Sequence, residues 1–234
     1  MKINLIGEIG LNHLGNKKYL EEYRNILSKN KIDGISIQIP QKSLMDSGQK
    51  KFLLTDSKIT EFVKFAKKKF KLVGITTSDK SKINFFNKLN IDFFKVTSGM
   101  ISNIHLIKKM QKSKIKKIYL STGFSNYAEI DKILKKVTKN KISLIHTSFK
   151  NNEINLRRIL ILKKKFNLPV AYGNHSIVLE TLSNAVFYEP EALFFYVKLN
   201  KRIKYPDHNH AIKLSELKNV IKKIKYNIDM SGAI

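Results

Sequence analysis

A closed, parallel (β/α)8 TIM barrel in a single domain, spanning residues 1–234, is the fold this sequence predicts, and three observations predict it. Eight short apolar runs recur along the 234 residues, each followed by an amphipathic stretch. Strand and helix patterns alternate throughout, which calls for crossover connections and parallel pairing. No Pro/Gly/Ser-rich linker divides the chain, and barrels of this length are common as one domain. A doubly wound open sheet is the alternative.

In chain order, the run Ile3–Ile6 leads into Gly7–Asn16, GEIGLNHLGN, and then a helical pattern over Lys17–Lys29. Glu8 falls at the end of that strand, with glycine-rich Leu11–Gly15 as the loop after it. A carboxylate at a strand's C-terminal end is where barrels of this kind carry their chemistry. A plain βα turn is the alternative reading of the glycines. Gly34–Ile39 is the second run. It alone is followed by an extra piece, Pro40–Thr55, which reads as a lid over one mouth or as a connector. The helix Ser57–Lys69 comes next, with Ser57 as N-cap. Leu72–Ile75 then pairs with Lys80–Leu89, and Asp92–Val96 with Asn103–Lys112, capped by Asn103. Lys117–Leu120 pairs with Tyr127–Lys139, where Ile130, Ile133, Leu134 and Val137 mark one helix face at i, i+3, i+4, i+7. Ile142–Ile145 precedes Glu153–Phe166, Pro169–Tyr172 precedes Ile177–Tyr188, and Ala192–Leu199 precedes Leu214–Lys225.

Composition narrows the functional classes. With 42% hydrophobic residues the chain can build a core, and no apolar run reaches membrane-spanning length. The N-terminus has too short an apolar stretch for a signal peptide, so the cytoplasm is the default compartment. Without cysteine there is no disulfide, thiol nucleophile or cysteine zinc site. The 45 Lys+Arg against 18 Asp+Glu give a net charge of +27, which raises nucleic acid as a partner. The cations are nearly all lysines spread along the chain, in runs such as Lys67-Lys68-Lys69 and Lys163-Lys164-Lys165, without an arginine cluster interleaved with aromatics. That distribution reads as a solvated coat rather than a nucleic-acid interface. A positive field still favours small anionic substrates.

The strand ends form a polar ring: Glu8, Asn12 and His13; Gln38; Thr76 and Thr77; Lys95 and Ser98; Ser121 and Thr122; His146 and Ser148; Asn174 and His175; Tyr196 and Lys198. Each has a bland alternative. His146 reads as a hydrogen-bonded core histidine, Lys198 as a surface residue, and Ser/Thr-Gly as a turn. Jointly they suit a small, multiply charged ligand. Thr97-Ser98-Gly99 and Ser121-Thr122-Gly123, each before a helix, offer hydroxyls and helix N-termini to a phosphate, with Lys95 as the full charge.

Six motifs also stand in a recognisable order: GEIGLNHLGN, FKVTSGMISN, IYLSTGFSNYAEI, SLIHTS, AYGNHS and YPDHNHAI. They resemble those of the sialic acid synthase family, which condenses phosphoenolpyruvate (PEP) with an N-acetylated amino sugar to a nonulosonic acid. The resemblance implies the same barrel. It implies that Glu8 contacts the sugar and shares the catalytic role with Lys95, and that Thr76, Lys95, Ser98 and Ser121 hold PEP. Gln38 and Asp207 would lie near the sugar, and His175 would be one of two histidines on a divalent metal, Mn or Mg. The family also carries a small C-terminal antifreeze-like domain, which this sequence is expected to lack, and a homodimer is compatible with it.

Departures from the family pattern fall in the site. Ser36 stands where the family has a PEP-binding lysine, Tyr196 where it has the second metal histidine, Phe194 where it has a glutamate, and Gly173 where it has a serine. Phe149 and Asn151 replace an Asn and a Tyr. Two readings follow: a synthase of this type, or a catalytically impaired barrel of the same family acting as a binding or partner subunit. His208 and His210 are the remaining candidates for a replacement ligand.

Overall fold

Alternation resolves into a closed barrel. In the computed structural model, which describes residues 2–46 and 48–232, the strands are β1 (Asn4–Gly10), β2 (Gly34–Ile39), β3 (Leu72–Thr77) and β4 (Phe93–Val96), followed by β5 (Lys117–Ser121), β6 (Ile142–His146), β7 (Val170–Asn174) and β8 (Ala192–Lys198). Each pairs in parallel with the next, and β1 pairs with β8 from Asn4–Ala192 to Glu8–Tyr196, closing the sheet on itself. The open doubly wound alternative is thereby excluded. Around the barrel run α1 (Lys17–Ser28), α2 (Asp56–Lys69), α3 (Ile83–Lys88) and α4 (Ile104–Gln111), then α5 (Tyr127–Leu134), α6 (Arg158–Phe166), α7 (Glu180–Asn184) and α8 (Leu217–Met230). Among the described residues no helix is long and apolar enough to cross a membrane.

Strands buried on both faces explain why the apolar runs are continuous rather than alternating. One face packs on the helices; the other fills the barrel with Ile6, Phe93, Tyr119, Ile145, Ala171, Ala192 and Phe194. Phe93, Tyr119 and Phe194 meet edge to face, with centroids 5.3, 5.9 and 4.9 Å apart. Gly74 in β3 makes room for them, since a Cβ there would lie 2.0 Å from the Phe93 ring.

The elements differ from the sequence reading mainly at their ends. β1 runs on to Gly10, and β3, β5, β6 and β7 also extend past their apolar runs, because ladder hydrogen bonds continue through polar residues. Thr55, not Ser57, caps α2: its hydroxyl accepts from Lys58 N at 3.4 Å. Asn103 caps α4 as read, accepting from Leu106 N. α5 stops at Leu134, α6 begins only at Arg158, and α7 is short and continues as a 3-10 turn over Ala185–Tyr188.

Two further pieces shape one mouth of the barrel. Pro40–Thr55 holds two 3-10 turns, Lys42–Leu44 and Lys50–Phe52, with Ser47 outside the described residues. It is anchored by buried Met45 and Leu54 and lies against the loop after β1, where a Cβ on Gly15 would sit 2.3 Å from Lys51 O. It forms a rim on that side. The second piece was not anticipated: β9 (Ile212–Lys213) pairs with the end of β8, Val197 with Ile212 and Lys198 with Lys213. It folds residues 199–211 back over the same mouth.

Candidate active site

Strand register builds the site. Gln38 pairs with Thr76, Thr76 with Lys95, and Glu8 with both Ser36 and Tyr196, so the polar strand ends stand side by side. Glu8 and Lys95 are 2% and 3% exposed and form an ion pair at 2.5 Å. Ser36 Oγ lies 3.4 Å from the other carboxylate oxygen. Phe194 and Tyr196 flank the ammonium, with ring centroids 5.4 and 5.3 Å from Nζ. These two aromatics thus help cage the lysine. Lys95 in turn opens onto a cavity of about 290 Å³ walled by Gln38, Ser98, Ser121, Phe149, His175 and Tyr196.

Most of the sequence-predicted residues come together here. Gln38, Lys95, Ser98, Ser121 and His175 line the cavity directly. Glu8 reaches it through Lys95. Thr76 neighbours Lys95 in the ladder and is buried. Asp207 approaches from the β8–β9 segment, its carboxylate beside Gly10 and its N–H donating to Asn12 Oδ1 at 3.1 Å. The two Ser/Thr-Gly loops also touch, Gly123 N donating to Ser98 Oγ at 3.1 Å.

Some readings need correction. The helix N-termini after those loops are already capped by Asn103 and by the Asn126–Glu129 capping box, and α4 starts only after a 3-10 turn over Ser98–Met100. An anion therefore meets hydroxyls and Lys95 rather than open helix ends. Lys198 is not a surface residue: it is 9% exposed, and its ammonium donates to His208 O at 2.6 Å. Several polar ring members serve the fold. Asn12 donates to Val197 O, Thr77 to Ile39 O and Thr122 to Ile145 O, while His146 Nε2 meets Ile154 O at 2.7 Å. Burial lowers the pKa of His13 and His146 to about 4, so both are neutral core imidazoles.

His175 sits differently. Its ring lies between Phe149 and His210, at 4.6 and 4.5 Å, with Tyr196 edge-on at 5.2 Å. Burial, then His210 and Lys95, push its pKa down to about 2. Burial and the cations Lys95 and Lys198 hold His210 near 4. Burial and Glu8 raise Asp207 to about 7 against the pull of Lys95. Phe149 and the stacked, largely exposed Phe124, 4.5 Å apart, extend the aromatic wall outward. Sequence reasoning recorded Phe149 only as a departure and missed Phe124; the one signal was a bulky aromatic directly after Gly123.

The implied metal can be tested against the donors present. Among the described residues, no three His, Cys, Asp or Glu side chains surround one point as they stand. The donor chemistry nonetheless fits. Two neutral imidazoles meet here, His175 lining the cavity and His210 packed on it at 4.5 Å. Nε2 of His210 is buried without a hydrogen-bond partner, and Asp207 Oδ1 lies 3.8 Å from it. Tyr196 is not a donor at neutral pH, because burial, Glu8 and Asp207 keep its phenol protonated.

A larger groove of about 820 Å³ lies outside the rim, between Gln41–Ser43, Ser78–Ser81 and His105. Its lysines are exposed side chains, so the chemistry belongs to the smaller cavity around the buried pair.

Comparison with known proteins agrees with the barrel fold. The chain is 28% identical over 254 residues to N,N'-diacetyllegionaminic acid synthase of Campylobacter jejuni, covering 96% of this chain and 76% of that protein. It is 27% identical over 154 residues to human N-acetylneuraminate-9-phosphate synthase, covering 63% of this chain and 43% of that one. Among solved structures, the sialic acid synthetase of Leptospira borgpetersenii, crystallised with citrate, superposes with a TM-score of 0.90 at 21% identity, covering 99% of this chain and 86% of that chain. A truncated 3-deoxy-D-arabino-heptulosonate 7-phosphate synthase of Thermotoga maritima superposes at 0.78 with 15% identity, covering 98% of this chain and 88% of that chain, which bears on the fold alone. The profile of the NeuB family matches residues 24–233, a span that leaves out Glu8 and its loop but takes in every later strand. On that match, the chain belongs to the NeuB family.

Proposed function

We propose that this chain condenses PEP with an N-acetylated amino sugar to give a nonulosonic acid of the sialic or legionaminic type. The observation that carries the reading is the buried Lys95–Glu8 pair facing a small, hydroxyl-lined cavity at the C-terminal mouth of a NeuB-family barrel. C3 of PEP attacks the open-chain aldehyde at C1 of the sugar, water adds at C2, and phosphate leaves. Lys95 supports the anionic end of PEP. It has three donors, Glu8 takes one, and the cavity offers the rest to phosphate or carboxylate oxygens. Ser98 and Ser121 add hydroxyls from the adjoining strand ends. When PEP engages Lys95, Glu8 is released toward the sugar, where it can accept a hydroxyl proton. Gln38 and Asp207 flank the space the sugar would fill, and the Phe149 face covers it from the rim. A divalent ion, Mn or Mg, would polarise the aldehyde when bound, with His175 as one of its holders.

Calorimetric titration of PEP tests the reading. Ser121→Ala is expected to weaken binding by about 1 kcal/mol and Lys95→Met by about 1.5–3 kcal/mol. Ser36→Lys, which restores a second cation beside Glu8, is expected to strengthen it. A parent chain that takes up no PEP, with no gain in Ser36→Lys, would leave an inherited site no longer used for this chemistry. A phosphate-release assay with PEP, manganese and a panel of N-acetylated amino sugars then reads turnover.

A further inference from the structure

We infer that His210 supplies, with His175, the second imidazole of a divalent-metal site at the barrel mouth, taking over from the histidine that Tyr196 displaces, with Asp207 as the third ligand. The inference rests on the proposed synthase reading and deepens it.

Three independent features lead to it. The first is chain geometry. β9 and the Lys198–His208 hydrogen bond pin residues 199–211 over the mouth, and Asp207 is tied to Asn12. This delivers His210 onto the Tyr196 ring, perpendicular at 4.9 Å, and onto His175 at 4.5 Å. An imidazole is therefore restored beside the very residue that replaced one. The second is the orphaned nitrogen. Buried polar atoms are rarely left without a partner, and those that are point to an absent ligand or a functional role. His210 Nε2 is such an atom, its nearest acidic neighbour, Asp207 Oδ1, being at 3.8 Å, beyond hydrogen-bond length. The third is the donor set. Both imidazoles have lone pairs free to bind, and two histidines with one carboxylate form a facial set that leaves positions open for substrate oxygens and suits Mn or Fe better than Ca. Glu8 is not available for the set, because Lys95 holds it.

Ligand-free, the two rings lie 40° apart in a tilted stack. Binding an ion requires them to turn so that one nitrogen of each reaches about 2.0–2.2 Å from it. The β8–β9 segment is tied to the barrel by β9, by the Asp207 and His208 hydrogen bonds and by buried Tyr205, so the turn has to come from the His175 and His210 side chains themselves.

The test is Mn(II) binding to the metal-free chain by calorimetry, with Co(II) absorption as a second readout of nitrogen ligation. The parent is expected to bind one ion. His210→Phe keeps the aromatic packing without a donor, and His175→Ala removes the other ring. Each is expected to weaken binding by more than the roughly 10–100-fold that loss of an outer partner costs. His105→Ala, in the outer groove, is expected to change nothing. The double variant Tyr196→His/His210→Ala is expected to regain binding by returning the imidazole to the strand. His210→Phe that binds Mn(II) like the parent, or a parent that binds none, overturns the assignment. PEP titrated into the same metal-free samples separates the two readings. PEP uptake with an unaffected His210→Phe sinks only the ligand assignment, whereas loss of PEP uptake in the parent sinks the synthase reading itself.

Discussion

Lys95 and Glu8 illustrate how a single pair of residues can serve both the fold and the site. Two charges nearly free of solvent are costly to bury, and each compensates the other. Removing either alone strands a charge, so Glu8→Gln and Lys95→Met are each expected to destabilise the chain by about 3–5 kcal/mol in urea unfolding. The double variant is expected to cost clearly less than the sum, since neither charge is then left alone. Asp207 gives a residue-scale prediction of opposite kind. Its carboxyl is raised from 3.8 to about 7, so between those values the folded chain keeps a proton the unfolded chain has released. Its contribution to stability is full below the lower value and is lost as pH rises through about 7. The imidazoles act in the other direction: His13, His146 and His210 are held near 4, and their contribution is lost as pH falls from 6.5 toward 4. Comparing Asp207→Asn with the parent isolates the carboxyl. The variant's melting temperature is expected to gain on the parent's between pH 5 and 8; a constant difference would refute the raised pKa.

At the scale of elements, the strands were legible because burial on both faces leaves a continuous apolar run, and all eight fall where those runs stand. That the strands run on through Thr76, Ser121 and His146 was not, since these residues join the ladder through their backbones and give no apolar signal, although their place at the strand ends was read. The helix ends followed capping chemistry only in part: Thr55 took the place of Ser57 because a hydroxyl one turn earlier reached Lys58 N. β9 escaped notice altogether, being two residues long, and with it went the placement of His210 against His175 and of Asp207 beside Gly10. Sequence motifs could name those residues but could not say which of His208 and His210 turned inward. Gly74 is an element-scale device of the same barrel. Its missing side chain accommodates Phe93, so Gly74→Ala forces the aromatic trio apart. Overpacking of this kind is expected to cost about 1–3 kcal/mol, read as a lower denaturation midpoint with an unchanged slope.

The whole molecule carries +27 on a barrel of ordinary size, and the structure shows where that charge resides. Lysines on the helices are largely solvent-facing, and acidic residues on the surface are engaged by lysines: Glu61 by Lys17, Asp131 by Lys135, Glu180 by Lys223, Asp56 by Lys82. Exposed pairs of this sort contribute little each, so the excess of lysines acts mainly as mutual repulsion that the fold must withstand. Salt screens that repulsion, with a Debye length falling from about 30 Å at 0.01 M to about 8 Å at 0.15 M. The melting temperature is therefore expected to rise over that range, in contrast to a protein held by surface ion pairs, which would lose stability. A coat of this sign favours anions near the mouth, where Lys95 lies buried. Duplex DNA offers the sharpest contrast between a coat and an interface. Counterion release alone predicts weak binding, blind to sequence, with an affinity that falls linearly in log–log terms as salt increases. Fluorescence anisotropy with two unrelated duplexes across a salt series checks this. Equal affinities that vanish near physiological salt are expected, and binding that persists there and discriminates between the duplexes would show that the lysines form a recognition surface rather than a solvated coat.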